Sequence, residues 1–205
     1  MPPVMKGYTV SGTDTDVGKT IFAAGLAATL RARYWKPVQA GLEGGGDSET
    51  VRRLAPGAEV LPEAYRLNTP CSPHEAARID GVVIDPTRLA VPQGDTPLVI
   101  EGAGGVLVPH GDGLLAADLF ALWRLPVILV ARTSLGTISH SLLALEALRI
   151  RGLEVAGVAF VGDENAASEA AIIRFGNCRH LGRLPWLDPL NAATLTEVFT
   201  RCITL

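Results

Sequence analysis

Apolar positions along this chain alternate between two periods. Residues 6–11, Lys-Gly-Tyr-Thr-Val-Ser, form a short β-leaning run, and residues 19–33 carry Ala and Leu at helical spacing. Tyr34-Trp35-Lys36-Pro37-Val38 predicts a second short strand that ends in a loop. Residues 97–101 and 126–131 are continuous apolar runs, as expected of strands buried on both faces of a parallel sheet. Helical spacing over 139–151, with Gly152 as its stop, leads into a strand over 153–161. A helix over 165–175, a short strand over 179–184 and a closing helix over 190–203 complete the chain. Between the first and second halves, 48–54 and 74–79 read as short helices, four glycines stand in 41–47, and 56–73 is Pro-rich and irregular. Strands alternating with helices predict an α/β fold, a single-domain doubly wound and mostly parallel sheet spanning 1–205. In such sheets ligands collect beyond the carboxyl ends of the strands. The loop after the first strand, Lys36, Glu101 and the loops after Ala131 and Val161 fall there.

Composition narrows the partners. With 205 residues, 48% apolar and 19% charged, the chain suits one well-cored domain. A net charge of −3 without any Lys/Arg run argues against nucleic acid or an anionic membrane as partner. Cys71, Cys178 and Cys202 have no Cys-x-x-Cys spacing, and no His/Cys cluster resembles a zinc site. The N-terminal residues lack a basic region followed by an apolar core, and no apolar run reaches membrane-spanning length, so a cytoplasmic location is expected.

The chemistry starts at Gly12-Thr13-Asp14-Thr15-Asp16-Val17-Gly18-Lys19-Thr20. Between a strand and a helix, this run is a phosphate-binding loop in which backbone N–H groups and the helix N-terminus face phosphate oxygens. Lys19 reaches the β and γ phosphates, and the Thr20 hydroxyl can ligate Mg²⁺. Five residues separate Gly12 from Gly18 where the common pattern has four, so the loop is a variant. Glu101 ends an apolar run and precedes Gly102-Ala103-Gly104-Gly105; it is a candidate metal ligand or a strand-end acid capping backbone N–H groups. Asp47 reads equally as a ligand or as an N-cap, and Lys36 as a surface charge or as a catalytic group at a strand tip.

Together Gly12 to Thr20, Lys36-Pro37-Val38, Asp47, Ser72-Pro73-His74, Glu101 to Gly105, Leu135-Gly136-Thr137-Ile138 with His140, and Leu184-Pro185-Trp186 resemble dethiobiotin synthetases, in order over nearly the whole chain. The resemblance implies ATP- and Mg-dependent carboxylation and ring closure of 7,8-diaminononanoate with CO2, in biotin biosynthesis. It implies that Lys19 and Lys36 form a cationic clamp, and that Thr20, Asp47 and Glu101 surround Mg²⁺. Asp16, Val17, Gly18, Lys19, Thr20 and Ile21 would line the triphosphate, with Gly102, Ala103 and Gly104 beside it and Leu184, Pro185 and Trp186 walling the base. Thr15, Lys36 and Ala40 would meet the diamine. In the homodimer that the resemblance implies, Gly136, Thr137 and Ser139 at a helix start would hold the diamine's carboxylate across the subunit interface; His140 takes no catalytic role. The chain departs from the family pattern at Ala40, where a hydroxyl residue is usual, at Ser139, where an amide is common, and at Val161-Gly162, where an Asn-Asp pair meets adenine.

Three rivals share parts of this pattern. A nucleotide-dependent switch ATPase would carry a lysine early in the loop, where Asp14 stands. A glutamine-dependent ligase such as a cobyrinate diamide synthase would need a further domain and a nucleophilic cysteine. A non-catalytic nucleotide-binding homologue is kept open by Ala40 and Val161.

Overall fold

A computed structural model describes residues 6–205; the reading of the N-terminal segment falls partly outside this range. The strands are β1 (Gly7–Gly12), β2 (Arg33–Trp35), β3 (Val38–Ala40), β4 (Tyr65–Leu67), β5 (Leu98–Gly105), β6 (Pro109–Gly111), β7 (Leu114–Leu115), β8 (Val127–Arg132), β9 (Val155–Val161) and β10 (His180–Leu184). The helices are α1 (Lys19–Leu30), α2 (Gly46–Leu54), α3 (Pro73–Asp80), α4 (Ala116–Trp123), α5 (Thr137–Ile150), α6 (Ala166–Gly176) and α7 (Ala192–Cys202). Six strands form one parallel sheet in the order β10-β9-β8-β1-β5-β2. From β1 the chain moves out to β2, returns through β5 and then winds the other way through β8, β9 and β10. The winding reverses around β1, and the crevice at its carboxyl end is where such sheets take ligands.

The apolar runs are buried on two faces, as their continuity predicts. Leu98 and Ile100 face one core with Phe120, Trp123 and Leu129, while Val99 faces the other with Phe22, Leu26, Ile128 and Phe199. Among the described residues no helix is long and apolar enough to cross a membrane.

Two expectations change. The first helix stops at Leu30 rather than 33, because Arg31 takes the left-handed conformation (φ 50) and lets the Ala32 N–H close on the Ala27 carbonyl at 2.9 Å. Arg33, Tyr34 and Trp35 then pair with β5, and this pairing outweighs their fit to helical spacing. The single strand expected over 34–38 is two strands in different sheets. Pro37 has no N–H for a ladder, so the chain turns after Trp35, and Val38 to Ala40 pairs with β4 inside the stretch expected to be irregular. In a stretch for which the sequence set no expectation, α4 follows directly on β7 and ends at Arg124, again left-handed (φ 55), shortly before β8.

The last helix braces the first. Gly25 of α1 lets Phe199 of α7 lie against the helix backbone, and Phe199 packs tilted against Phe22 with ring centroids 5.1 Å apart. A Cβ on Gly25 would stand 2.3 Å from the Phe199 ring. Gly25→Ala is expected to destabilise the fold by about 1–3 kcal/mol despite alanine's better helix propensity, read by chemical denaturation. His110 of β6 is buried, and its Nδ1–H donates to the Val108 carbonyl at 3.2 Å. Burial lowers its pKa from 6.5 to about 4. A depressed folded pKa means that the unfolded chain binds the proton first. Stability is therefore full above pH 6.5 and falls as the pH drops from 6.5 towards 4, by at most about 3 kcal/mol. His110→Asn should flatten that limb of a stability-against-pH curve, whatever it does to stability at pH 7.

Candidate active site

The phosphate-binding loop leaves β1 at Gly12 and enters α1 at Lys19. Two residues make its tight turn possible, Asp16 at φ 55 and Gly18 at φ 89. Gly18 also has no room for a side chain, since a Cβ there would stand 2.7 Å from Val161 of β9. The loop is thus seated on the tip of β9, and Val17 is packed into the core beneath it. The Lys19 ammonium folds back to donate to the Asp14 carbonyl at 2.7 Å. Burial, with the neighbouring Lys36 ammonium, holds it below the ordinary lysine range.

Beside the loop lies a cluster of buried charge contributed by four elements. Lys36 follows β2, Glu101 lies on β5, Thr20 on the first turn of α1 and Asp47 on the first turn of α2. The Lys36 ammonium stands 2.7 Å from Asp47 Oδ2 and 3.2 Å from Glu101 Oε1, and donates to the Gly102 carbonyl at 3.0 Å. The Thr20 hydroxyl lies 3.0 Å from Asp47 Oδ1 and 2.8 Å from Glu101 Oε1, so its one proton is shared between two carboxylates. Burial works against each charge. At Lys36 the carboxylates of Glu101 and Asp47 outweigh it and raise the pKa. At Asp47 the Lys36 ammonium outweighs it and lowers the pKa. Glu101 is the most deeply buried, and there burial, reinforced by the Asp47 carboxylate, wins over Lys36 and raises the pKa.

Two positioning residues escaped the sequence reading. Tyr34, fully buried on β2, donates its hydroxyl to Glu101 Oε2 at 2.8 Å. Burial and the Glu101 carboxylate push that phenol well above its usual pKa, so it remains a donor. Gln39, on β3, accepts from the Asp47 N–H at 3.0 Å and donates to the Gly41 carbonyl at 3.0 Å. Since Gly45 precedes α2 without a capping side chain, the Gln39 carbonyl substitutes for a cap and fixes the turn that carries Asp47. A strand tyrosine and a strand glutamine look like packing residues in a sequence.

Loop and cluster open into one cleft of about 740 Å³. Thr15, Asp16, Gly18, Lys19, Thr20, Ile21, Lys36, Ala40, Asp47, Glu101, Ala103 and Gly104 line it. Gly102 takes part through its carbonyl on Lys36. Unanticipated lining comes from Pro70, Cys71, Ser72 and Pro73 and from Val108. Other expected site residues lie elsewhere. Leu184 is buried in the core, whereas the indole of Trp186 is 69% exposed and lies over Gly162 after β9. Gly136, Thr137 and Ser139 begin α5, where the Thr137 hydroxyl donates to the Arg132 carbonyl and Ser139 is exposed. A second cavity of about 350 Å³ runs between the loop at Thr13, Asp14 and Thr15 and the side of α5 at His140, Leu143 and Ala144. The site therefore supplies a phosphate cradle, two cationic side chains and a hydroxyl flanked by two carboxylates. The oxygen donors Thr20, Asp47 and Glu101 suit a hard divalent cation that also binds phosphate.

Known proteins carry the same pattern. A family profile described as an AAA domain matches residues 6–194. The chain is 60% identical to the ATP-dependent dethiobiotin synthetase BioD of Rhizorhabdus wittichii, over 95% of this chain and 94% of that one. It is 58% identical to the protein of the same name from Agrobacterium fabrum, over 95% and 92%. In fold it is similar to a ParA family ATPase from Chlorobium tepidum, with a TM-score of 0.59, 11% identity and coverage of 97% and 93%. It is likewise similar to the septum site-determining protein MinD of Pyrococcus horikoshii, solved with Mg-ADP, with a TM-score of 0.58, 17% identity and coverage of 95% and 86%. At those identities the two structures speak for the doubly wound P-loop fold alone. The identity to the synthetases, over nearly their whole length, places this chain in the dethiobiotin synthetase family.

Proposed function

We propose that this protein closes the ureido ring of dethiobiotin from 7,8-diaminononanoate, CO2 and ATP, as a step of biotin biosynthesis in the cytoplasm. The observation that carries the reading is the cluster of Lys36, Asp47, Glu101 and Thr20 beside the phosphate loop, in a chain of this family.

The chemistry requires two anions to meet. One amine of the diamine takes up CO2 to give a carbamate. A carbamate oxygen then attacks the γ-phosphorus, and the bond from that phosphorus to the bridging oxygen breaks as ADP leaves. The second amine attacks the carbamoyl carbon, expelling phosphate and closing the ring. Lys19 and Lys36 offset the repulsion between carbamate and triphosphate, a stabilisation that grows as charge moves in the transition state. Thr20, Asp47 and Glu101 would hold Mg²⁺, which when bound neutralises phosphate charge. Backbone N–H groups from Asp16 to Ile21 line the phosphates. Gly102, Ala103 and Gly104 let the chain approach closely beside them. Pro185 and the exposed Trp186 wall the base by shape, while Leu184 stays in the core. Thr15 meets the carbamate, and Ala40 brings no hydroxyl of its own to the cleft wall.

The substrate site is completed by a second copy. The start of α5, with Gly136, Thr137 and Ser139, presents backbone N–H groups that suit the diamine's carboxylate on the partner subunit. Exposed apolar side chains surround it: Leu135 is wholly exposed, and Ile138, Leu143 and Leu107 are partly so. Such a patch at the surface is a reason to expect an interface.

The purified chain with MgATP, bicarbonate and the diamine is expected to yield dethiobiotin, ADP and phosphate in equal amounts. Lys19→Ala should lower kcat/KM at least about a hundredfold. The absence of product from the intact protein at high substrate would sink the reading. For the shared site, Leu135→Arg should convert a dimer to a monomer in sedimentation and raise the KM for the diamine with little change in that for ATP; a fully active monomer would refute it.

A further inference from the structure

We propose that the Lys36 ammonium is a resident occupant of the divalent-cation site, so that the metal enters only when a nucleotide draws Lys36 away. This rests on the assignment of Thr20, Asp47 and Glu101 to the metal.

An ammonium has three N–H donors. Lys36 uses one on Asp47 Oδ2 at 2.7 Å, one on Glu101 Oε1 at 3.2 Å and one on the Gly102 carbonyl at 3.0 Å. None is left for a phosphate. The carboxylate oxygens are engaged too. Thr20 shares its proton between Asp47 Oδ1 and Glu101 Oε1, and Tyr34 takes Glu101 Oε2. Lys19, the other ammonium in the cleft, is committed to the Asp14 carbonyl and bonds to neither acid. Lys36 therefore provides the countercharge for both carboxylates, with its side chain only 4% exposed.

A divalent ion needs these same oxygens. An ammonium held against those oxygens disfavours it, because like charges gathered on the same carboxylates repel more strongly out of water. Two carboxylates that share one ammonium keep only a single net negative charge and attract a free ion less than an unpaired pair would, and among the described residues no group of three or more His, Cys, Asp or Glu side chains gathers to hold one. A triphosphate alters the balance by offering Lys36 new acceptors. Each bond that the ammonium transfers to phosphate frees a carboxylate oxygen for the metal. Arrival of the nucleotide and opening of the cation site are then one exchange, which keeps the carboxylates paired in the empty enzyme.

The test is Mn²⁺ binding followed by electron paramagnetic resonance, without nucleotide. Lys36→Met should bind Mn²⁺ at least about tenfold more tightly than the wild type, while Lys19→Met, which removes the same charge from the same cleft, should change affinity less than about threefold. Equal shifts in both variants would reveal only a general charge effect and overturn the proposal, as would an unchanged affinity in Lys36→Met. Leaving two buried carboxylates without their partner can unfold a protein. The wild type therefore supplies a second measurement, the ¹⁵N resonance of the Lys36 ammonium. That signal should hold through a Mg²⁺ titration and move when a non-hydrolysable ATP analogue is added with Mg²⁺. Displacement by Mg²⁺ alone would refute resident occupancy. Either negative result leaves dethiobiotin formation intact, so failure here is separable from failure of the proposed function.

Discussion

A primary ammonium and a carboxylate taken out of water together at the carboxyl edge of the sheet, with a second, partly exposed carboxylate beside them, set the conditions for most of this molecule. Desolvating an isolated charge costs several kcal/mol even after relaxation, and that cost is recovered only when partners stand at hydrogen-bonding distance. Asp47 and Glu101 lie on separate elements, eleven and sixty-five residues after Lys36, and each comes within 3.2 Å of its ammonium. Each needs the others, so β2, β5 and α2 have to be correctly placed at once, with Thr20 of α1 between the acids. Tyr34 and Gln39 extend the constraint by fixing one carboxylate through an oxygen and the other through its backbone. The same balance makes Glu101 and Lys36 move in one direction, both pKa values rising, for opposite reasons: burial dominates at the acid and its anionic neighbours dominate at the amine.

The break at Lys36-Pro37 is what brings the charge into the cleft. Had 34–38 continued as one strand, the side chains beyond Trp35 would have alternated across the sheet and the lysine would have met a core. Instead the chain leaves the sheet after pairing with β5, carries Lys36 across the tip of Glu101 and begins a separate two-stranded ladder with β4. That small ladder carries Gln39 and the half-buried Ala40 to the wall of the cleft and leads through four left-handed glycines into α2. The glycine-rich loop, whose composition suggests mobility, ends in a turn pinned by a side chain eight residues earlier.

How much of this was written in the sequence depends on the range of the forces. The parallel sheet was legible, because strands buried on both faces leave long apolar runs such as 97–101 and 126–131, and the phosphate loop was legible from its own residues. Lys36 and Glu101 were visible as candidates at strand tips. Asp47 was ambiguous, since an acid before a short helix is normally a cap; its role comes from a lysine eleven residues away and a glutamine cap that no local pattern announces. β4 was hidden because its only partner is the three-residue β3, too short for periodicity to register. α1 was read too long because helical spacing persists to 33, whereas pairing with β5, more than sixty residues later, claims Arg33 to Trp35. Leu184 and Trp186, adjacent in a motif, part company in space, one in the core and the other largely in solvent.

The packing of Phe199 against Gly25 joins the two ends of the chain. α1, whose first residue is the loop lysine, is covered by α7, and β1 is flanked by strands that begin some ninety and a hundred and twenty residues later. A chain emerging from the ribosome therefore delivers its nucleotide loop long before the helix that braces it. Until α7 arrives, the apolar face of α1 has no cover on that side. The most recognisable segment of the sequence thus gains its full support late, and this enzyme's nucleotide site is a product of contacts far along the chain rather than of the loop and its own helix alone.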